Sequence, residues 1–193
     1  MLAGLDVVIF LKSHDDMERT ATRVFGALKS QYQNGSSDEW GGDFYEASGL
    51  GFSAVLFAND GDVLDPEFED YQYGLELMSQ FWCAELDAID VEGPLSEYYA
   101  RQLAFDLDME TATEILLETT EDAKLYEIRA YRRNPQYRLD QAPTTPKVFV
   151  IASRQVEEPF EDEEALDEEE GVLDEDAGEQ DEVAEDEIEW ERP

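Results

Sequence analysis

The chain has 193 residues, of which 42% are hydrophobic and 11% aromatic, so it can bury the core of one domain, while two would be cramped. Its 50 acidic and 13 basic residues give a formal net charge of −37, which opposes direct binding to nucleic acid or to an anionic membrane. The single cysteine, Cys83, and the single histidine, His14, exclude an intramolecular disulfide and a Cys/His zinc site.

The first two predicted elements are a strand and a helix. Residues 6–13 are apolar, β-branched and aromatic, which is typical of a short buried strand. Apolar residues then recur at helical spacing, which predicts a helix over about residues 14–33, with Ser13 as its N-cap and Asn34-Gly35 at its end.

A loop and a pair of strands are expected next. The polar, glycine-rich run 34–43 predicts the loop, and Trp40 within it is a candidate surface anchor. Residues 51–58 are apolar on both faces and predict a central strand, whereas residues 71–82 alternate. Between them, residues 59–70 form an acidic turn region. The alternation puts one set of side chains on the same face, namely Tyr71, Tyr73, Leu75, Leu77 and Phe81.

The second half of the body predicts a helix and two more strands. Gly93-Pro94 is typical of a helix start, and Asp108 is expected to cap a further turn or helix. Residues 124–133 alternate and predict a strand, and residues 148–153 predict the last one. The side chains expected to point inward after Asp108 are Met109, Ala112, Ile115 and Leu116.

This order of elements, β-α-β-β-α-β followed by an extra C-terminal strand, predicts an α+β fold. We expect a mostly antiparallel sheet with helices on one face, and a ferredoxin-like arrangement is the leading topology.

The acidic residues divide the chain into two regions. Residues 155–193 hold 21 acidic residues and one base, Arg192, and their few apolar groups cannot repay the entropy of ordering. We therefore predict an acidic α+β domain over residues 1–154, with a net charge of −17, and a disordered acidic tail over residues 155–193. Hydrophobic side chains are spaced along the tail, and two interpretations stay open: they dock on a partner, with Trp190 as the anchor, or the tail is a solubilising appendage.

No motif points to catalysis, a metal or a cofactor, so we expect a protein that is not an enzyme. Carboxylates are so abundant that no pair of them specifies acid–base chemistry. The best calcium-like stretch includes Asp60, Asp62 and Asp65, but its spacing departs from that of an EF-hand loop. An acidic solvated loop explains it adequately.

Basic residues are concentrated in one place, between Lys124 and Arg138, where tyrosines separate them. We interpret this pattern as a cross-strand ion-pair ladder that neutralises part of the acidic body. A nucleic-acid surface and a docking place for the tail remain as alternatives.

The charge predicts a basic protein as the partner. We expect an inhibitor or bacterial-type immunity protein that covers the cationic site of a nuclease-like toxin. One alternative is a chaperone-like or regulatory module that escorts a basic client through its tail, and another is a small-ligand binder or enzyme with a pocket between helices and sheet.

No stretch is long and apolar enough to cross a membrane and no secretory signal is evident, so a cytoplasmic location is expected. The candidate partner-binding residues are Trp40, Asp60, Asp62, Asp65, Glu67, Glu69, Asp70, Tyr71, Tyr73 and Trp190.

Overall fold

The computed structural model describes residues 5–49, 52–60, 66–79, 88–120, 122–138 and 145–159. The helices and strands of this part of the chain are β1 (Leu5–Lys12), α1 (Met17–Leu28), β2 (Gln33–Ser37), β3 (Gly42–Gly49), β4 (Phe52–Ala58), β5 (Tyr73–Ser79), α2 (Ala88–Leu107), β6 (Glu110–Thr119), β7 (Ala123–Arg133) and β8 (Val148–Pro159). The predicted tail beyond Pro159 lies outside the described residues, and so does Cys83.

The eight strands form one antiparallel sheet in the order β2-β3-β4-β5-β1-β6-β7-β8. β1 lies in the interior, paired with β5 on one side and with β6 on the other. Within the described residues, β2 and β8 are the two edge strands. The predicted α+β class and the mostly antiparallel sheet are thereby confirmed.

Both helices pack on the same face of the sheet. Val7, Ile9 and Leu11 alternate along β1 and are buried together with Phe25 of α1 and Leu103 of α2. Burying each such side chain stabilises the fold by about 1.5–3 kcal/mol, so the helices and this face of the sheet form the main core.

The predicted loop over residues 34–43 is wrong, because β2 and the start of β3 lie there. β2 is polar because it is an edge strand with little burial, which is why its composition resembles that of a loop. Gly35 is needed in it, since a Cβ at this position would lie 2.3 Å from Cζ of Phe44 on β3.

The predicted turn or helix after Asp108 is also wrong, because this segment is strand β6. Asp108 follows α2 with a φ of 50°, in the left-handed region, and does not cap a new helix. Thr111 and Thr113 are fully buried in β6, which pairs with β1 and β7. β-Branched side chains favour strands, and pairing on both sides outweighs the helical spacing of the apolar residues nearby.

The ends of α1 differ from the prediction as well. Asp16 is its N-cap and accepts a hydrogen bond from the backbone N–H of Arg19 at 2.8 Å. Ser13, the predicted cap, instead shares a buried hydrogen bond of 3.0 Å with Thr20. Lys29 ends the helix in the left-handed conformation, with a φ of 57°.

Two further boundaries matter for the site. α2 begins at Ala88, so Pro94 lies inside the helix and not at its start. The last strand, predicted over 148–153, continues to Pro159.

Among the described residues, neither helix combines the length and the hydrophobicity that a membrane span requires.

Candidate functional site

A groove of about 370 Å³ lies on the face of the sheet opposite the helices. One wall is the turn 67–71 that precedes β5, and the opposite wall is the segment 151–154 of β8. Ile128 and Ala130 of β7 form the floor, and Glu110 at the start of β6 also lines it. We call this site the acidic groove, because three of the five residues in the turn, Glu67, Glu69 and Asp70, are acidic.

The groove exists because of a change in side-chain size across this face. Residues in register on neighbouring strands form one row, which is aromatic at the β3 end and small at the β8 end. In order, the row is Phe44, Phe57, Gly74, Phe10, Ala112, Ala130 and Ala152. Residues opposite each other in a sheet share a face, so the three alanines leave a depression where larger side chains would fill the space.

Phe68 fixes the turn that forms the acidic wall. Its ring is 1% exposed and stacks on Phe10, with ring centroids 3.7 Å apart. The side-chain amide of Asn59 donates to the backbone carbonyls of Phe68 and Tyr71, at 3.0 Å each. The turn is therefore held from below by an aromatic stack and from the side by two hydrogen bonds.

Tyr71 and Glu110 join the turn to β6. The Tyr71 hydroxyl donates to Oε1 of Glu110 at 3.2 Å. Burial raises the pKa of Tyr71 well above its ordinary value, and the nearby carboxylates of Glu110 and Asp70 raise it further. Tyr71 therefore remains a neutral hydrogen-bond donor throughout the physiological pH range.

The remaining carboxylates differ in exposure. Glu69 and Asp70 are exposed to solvent, whereas Glu67 is half-buried and forms an ion pair with Arg154 of β8. The same arginine donates to the backbone carbonyl of Glu67 at 2.7 Å. Arg154 thus links the two walls.

Two further cations of this protein lie beside the groove carboxylates. Lys12 lies 3.9 Å from Asp70 and 4.0 Å from Glu110, and Arg132 also pairs with Glu110. The four carboxylates of the groove therefore exceed these three cations by one negative charge.

The other predicted partner-binding residues lie elsewhere. Tyr73 packs against the helix-covered core, and its hydroxyl donates to the carbonyl of Asp15 at 2.9 Å. Asp60 is exposed just after β4. Asp62, Asp65 and Trp190 lie outside the described residues.

Trp40 is on the same face as the groove but at the opposite end of the residue row. It ends a short 3-10 turn, is half-buried, and packs against Phe57 with ring centroids 5.1 Å apart. A second contact is with Phe44 at 6.5 Å. Its side chain therefore covers the aromatic half of the sheet, which argues against a freely exposed anchor.

Among the groove residues that the sequence prediction omits are Glu110, Ile151 and Arg154. Glu110 could not be placed because its segment was assigned to a turn or helix. Ile151 and Arg154 carry a usable signal, since an apolar run at 148–151 opens the predicted strand 148–153 and a lone base follows directly after it. What the sequence lacks is the register that brings β8 opposite the acidic turn.

A second cavity, of about 530 Å³, lies at the end of β1 and gathers basic side chains, namely Lys12, Arg23, Arg132 and Arg133. Each of the first three has a carboxylate within 4.0 Å, from Glu110 or Asp15. Arg133 instead lies over the ring of Phe105, with its guanidinium carbon 4.9 Å from the ring centroid. Most of the positive charge in this cavity is therefore neutralised within the protein.

The ion-pair ladder predicted along β7 forms only in part. Arg132 pairs across the sheet with Glu110 of β6, as expected. Arg129 instead binds Glu97 of α2 at 3.1 Å and Glu127 of its own strand at 2.5 Å. The arginines therefore join the sheet to the helix as well as strand to strand.

Within the described part of the chain, no group of three or more His, Cys, Asp or Glu side chains is arranged to hold a metal ion. No protein-family model, curated protein sequence or solved structure matches this chain.

Proposed function

We propose that this protein is a binding protein rather than an enzyme, and that the acidic groove holds a basic surface of another protein. The observation that carries the proposal is the gathering of four carboxylates around an apolar floor. They belong to Glu67, Glu69, Asp70 and Glu110. Glu67 and Glu110 pair with cations of this protein. The exposed Glu69 and Asp70 are therefore the two that face a partner. Such a site combines long-range attraction with an apolar surface for close contact.

The rigidity of the turn supports this use. Because Phe68 and Asn59 hold the backbone, the exposed carboxylates of Glu69 and Asp70 are already in place before a partner arrives. Less entropy is then lost on binding, and more of the attraction contributes to affinity.

The partner class that we propose is a nuclease-like toxin, so that the protein acts as an inhibitor of the immunity type. A nuclease has a cationic site for substrate phosphates, and a rigid group of carboxylates can occupy it. The net charge of −37 speeds encounter with such a partner and repels competing nucleic acid.

Two structural and cellular proposals accompany this function. We propose that the four central strands, β4, β5, β1 and β6, form a ferredoxin-like core with both helices, and that β2-β3 and β7-β8 are added to it. The strand order β4-β5-β1-β6 and the two helices on one face support this. We also propose a cytoplasmic location.

The experiment is capture of partners on the immobilised full chain, from an extract of the source cells, over a series of salt concentrations. A Glu69→Lys, Asp70→Lys variant tests the groove, and an Asp38→Lys, Asp43→Lys variant is the control with the same change in net charge. We expect a basic protein that the control retains and the groove variant loses, and whose nuclease activity falls on addition of one equivalent of the full chain. An acidic partner, or one that the groove variant retains, would contradict the proposal.

The same experiment tests the alternative of an escort that uses its acidic tail. A chain that ends at Pro159 removes the tail and leaves the groove residues in place. If this shorter chain loses the partner while the groove variant keeps it, the tail carries the function.

A further inference from the structure

The two edges of the sheet are unlike each other. β2 is five residues long, polar and contains a glycine, which is how proteins commonly prevent an edge strand from pairing with other chains. β8 has 12 residues and begins with the apolar run Val148-Phe149-Val150-Ile151. Within the described residues, no strand pairs with its outer side.

The first half of β8 leaves three consecutive large hydrophobic side chains in solvent. Phe149 is 43% exposed, Val150 50% and Ile151 43%. Consecutive residues of a strand point to opposite faces, so a single layer over one face would not cover all three. An added strand alongside β8 would contact them on both faces.

The second half of β8 is protected, unlike the first. Arg154, Glu157 and Glu158 place charges on it, and Pro159 ends it. Ile151 is the extra residue of a bulge in β8, which alters the twist of the edge but leaves the apolar side chains exposed. The edge is therefore open to pairing at one half and acidic at the other.

We propose that the outer edge of β8 pairs with an extended segment of the partner protein, apolar where it meets 149–151 and basic where it meets Glu157 and Glu158. This inference rests on the proposed function and names the binding mode: main-chain hydrogen bonds extend the sheet, and side chains select the sequence. Neighbouring strands lie about 4.8 Å apart, so a lysine or arginine of the added strand can also reach across β8 toward the acidic groove.

Charge selects a basic partner segment over a second copy of this chain. Two copies would bring two bodies of the same negative charge together, with Glu157 and Glu158 of each at the contact. A basic segment meets those carboxylates with opposite charge, and opposite charges across strands stabilise pairing.

The probe is a ten-residue peptide with an alternating Lys-Thr half followed by an alternating Val-Thr half, together with the peptide of reversed sequence. An N-methylated form, with every backbone amide blocked, keeps the charge and side chains but cannot donate a main-chain hydrogen bond from either edge. Because the acidic tail also attracts basic peptides, the readout is hydrogen exchange of the outward-facing β8 amides, which do not bond to β7, in the full chain. Affinity is measured alongside by calorimetry.

The variants are Phe149→Glu and Ile151→Glu, and the control is Leu117→Glu, which changes another exposed hydrophobic side chain, 41% exposed, on β6. We expect the peptide to slow the exchange of β8 amides. Each edge variant should weaken peptide binding about tenfold, whereas the control should bind the peptide with the affinity of the wild type. The N-methylated peptide should leave β8 exchange unchanged.

Several results would overturn the inference. In one such result, the edge variants bind the peptide as tightly as the wild type does, and the N-methylated peptide binds as tightly as the unmodified one. Charge alone would then bind the peptide, and the proposed function would survive without pairing at β8. If the isolated chain dimerises and Phe149→Glu abolishes the dimer, or if the outward-facing β8 amides, which do not bond to β7, are already slow to exchange in the monomer, the edge is covered by this protein itself. If no peptide binds in a salt-dependent way, the proposed function fails as well.

Discussion

The Arg154 guanidinium contacts Glu67 twice, at the Glu67 carboxylate and at the Glu67 backbone carbonyl. These two contacts link β8 to the turn before β5. The two residues are far apart in sequence, and the contact closes the acidic groove on one side. Since the arginine is a little over half exposed, the pair fixes the position of the wall more than it stabilises the fold.

The first prediction concerns this link. Arg154→Gln should leave the free energy of unfolding within about 1 kcal/mol of the wild type, because exposed ion pairs contribute little. Amides of the turn 67–71 should nevertheless exchange faster in hydrogen-exchange mass spectrometry. Arg138→Gln, at another exposed arginine, should change neither quantity. Unchanged exchange in the turn would show that the aromatic stack and the two Asn59 hydrogen bonds hold it without Arg154.

The second prediction concerns the pH dependence of stability. Glu127 accepts hydrogen bonds from Arg129 and from the Ser153 hydroxyl, at 2.5 Å each, and these lower its pKa from 4.5 to about 2. A carboxyl whose pKa is lowered in the folded state stabilises the fold above its unfolded pKa, and this contribution is lost as the pH falls through about 2.

Glu127→Gln should therefore destabilise the protein at pH 7, by about 1–3 kcal/mol, and much less at pH 2. Urea unfolding at these two pH values avoids the isoelectric region near 4.1, where solubility is lowest. Glu118→Gln, at an exposed carboxylate of β6, controls for the loss of one negative charge. Equal destabilisation by Glu127→Gln at both pH values would contradict the charge-assisted network.

The third prediction tests the close packing at Gly74. A Cβ at this position would lie 2.3 Å from Cζ of Phe57, so Gly74→Ala must displace a ring that also contacts Trp40. We expect a loss of about 1–3 kcal/mol in the free energy of unfolding. Gly26→Ala is the matched control, because nothing lies within 4 Å of its added Cβ and it is in a helix, where alanine stabilises by about 0.5–1 kcal/mol. Thermal unfolding should thus shift in opposite directions for the two variants.

The elements that the sequence could predict are those whose burial leaves a periodic pattern. Alternation along 124–133 correctly placed Ile128 and Ala130 on one face of β7 and Arg129 on the other. In β2 and β6 the local pattern misleads, because one is a polar edge strand and the other is set by pairing with two neighbours. Such pairing depends on residues far away in the sequence.

Of the acidic groove, the sequence could predict only the acidic composition of one wall. The acidic run that contains Glu67, Glu69 and Asp70 identifies one wall, but Tyr71 was expected on the face of Tyr73 and lies in the cluster on the opposite face. Tyr71 precedes β5, and its chain turns back there through a hydrogen bond from its N–H to the Phe68 carbonyl at 2.8 Å. The groove itself arises from alanines of three strands in register, and register is not visible in the residues of any one strand.

The last prediction concerns the rate at which the basic partner binds. Glu69 is exposed at the rim of the groove, so Glu69→Lys should slow association by a few-fold at low salt while changing dissociation less, because a rim charge acts mainly on diffusional encounter. Asp43→Lys makes the same change in net charge at an exposed position of β3, at the other end of the sheet, and should slow association less.

Stopped-flow measurements over a salt series distinguish local from global electrostatics in this comparison. The Debye length falls from about 10 Å at 0.1 M salt to about 3 Å at 1 M, so the association rates of both variants and the wild type should converge at high salt. A larger effect of Asp43→Lys than of Glu69→Lys would place the encounter surface on the β3 side of the sheet, away from the acidic groove. Equal effects would mean that the net charge of the whole chain guides the partner, and that the groove acts only after contact.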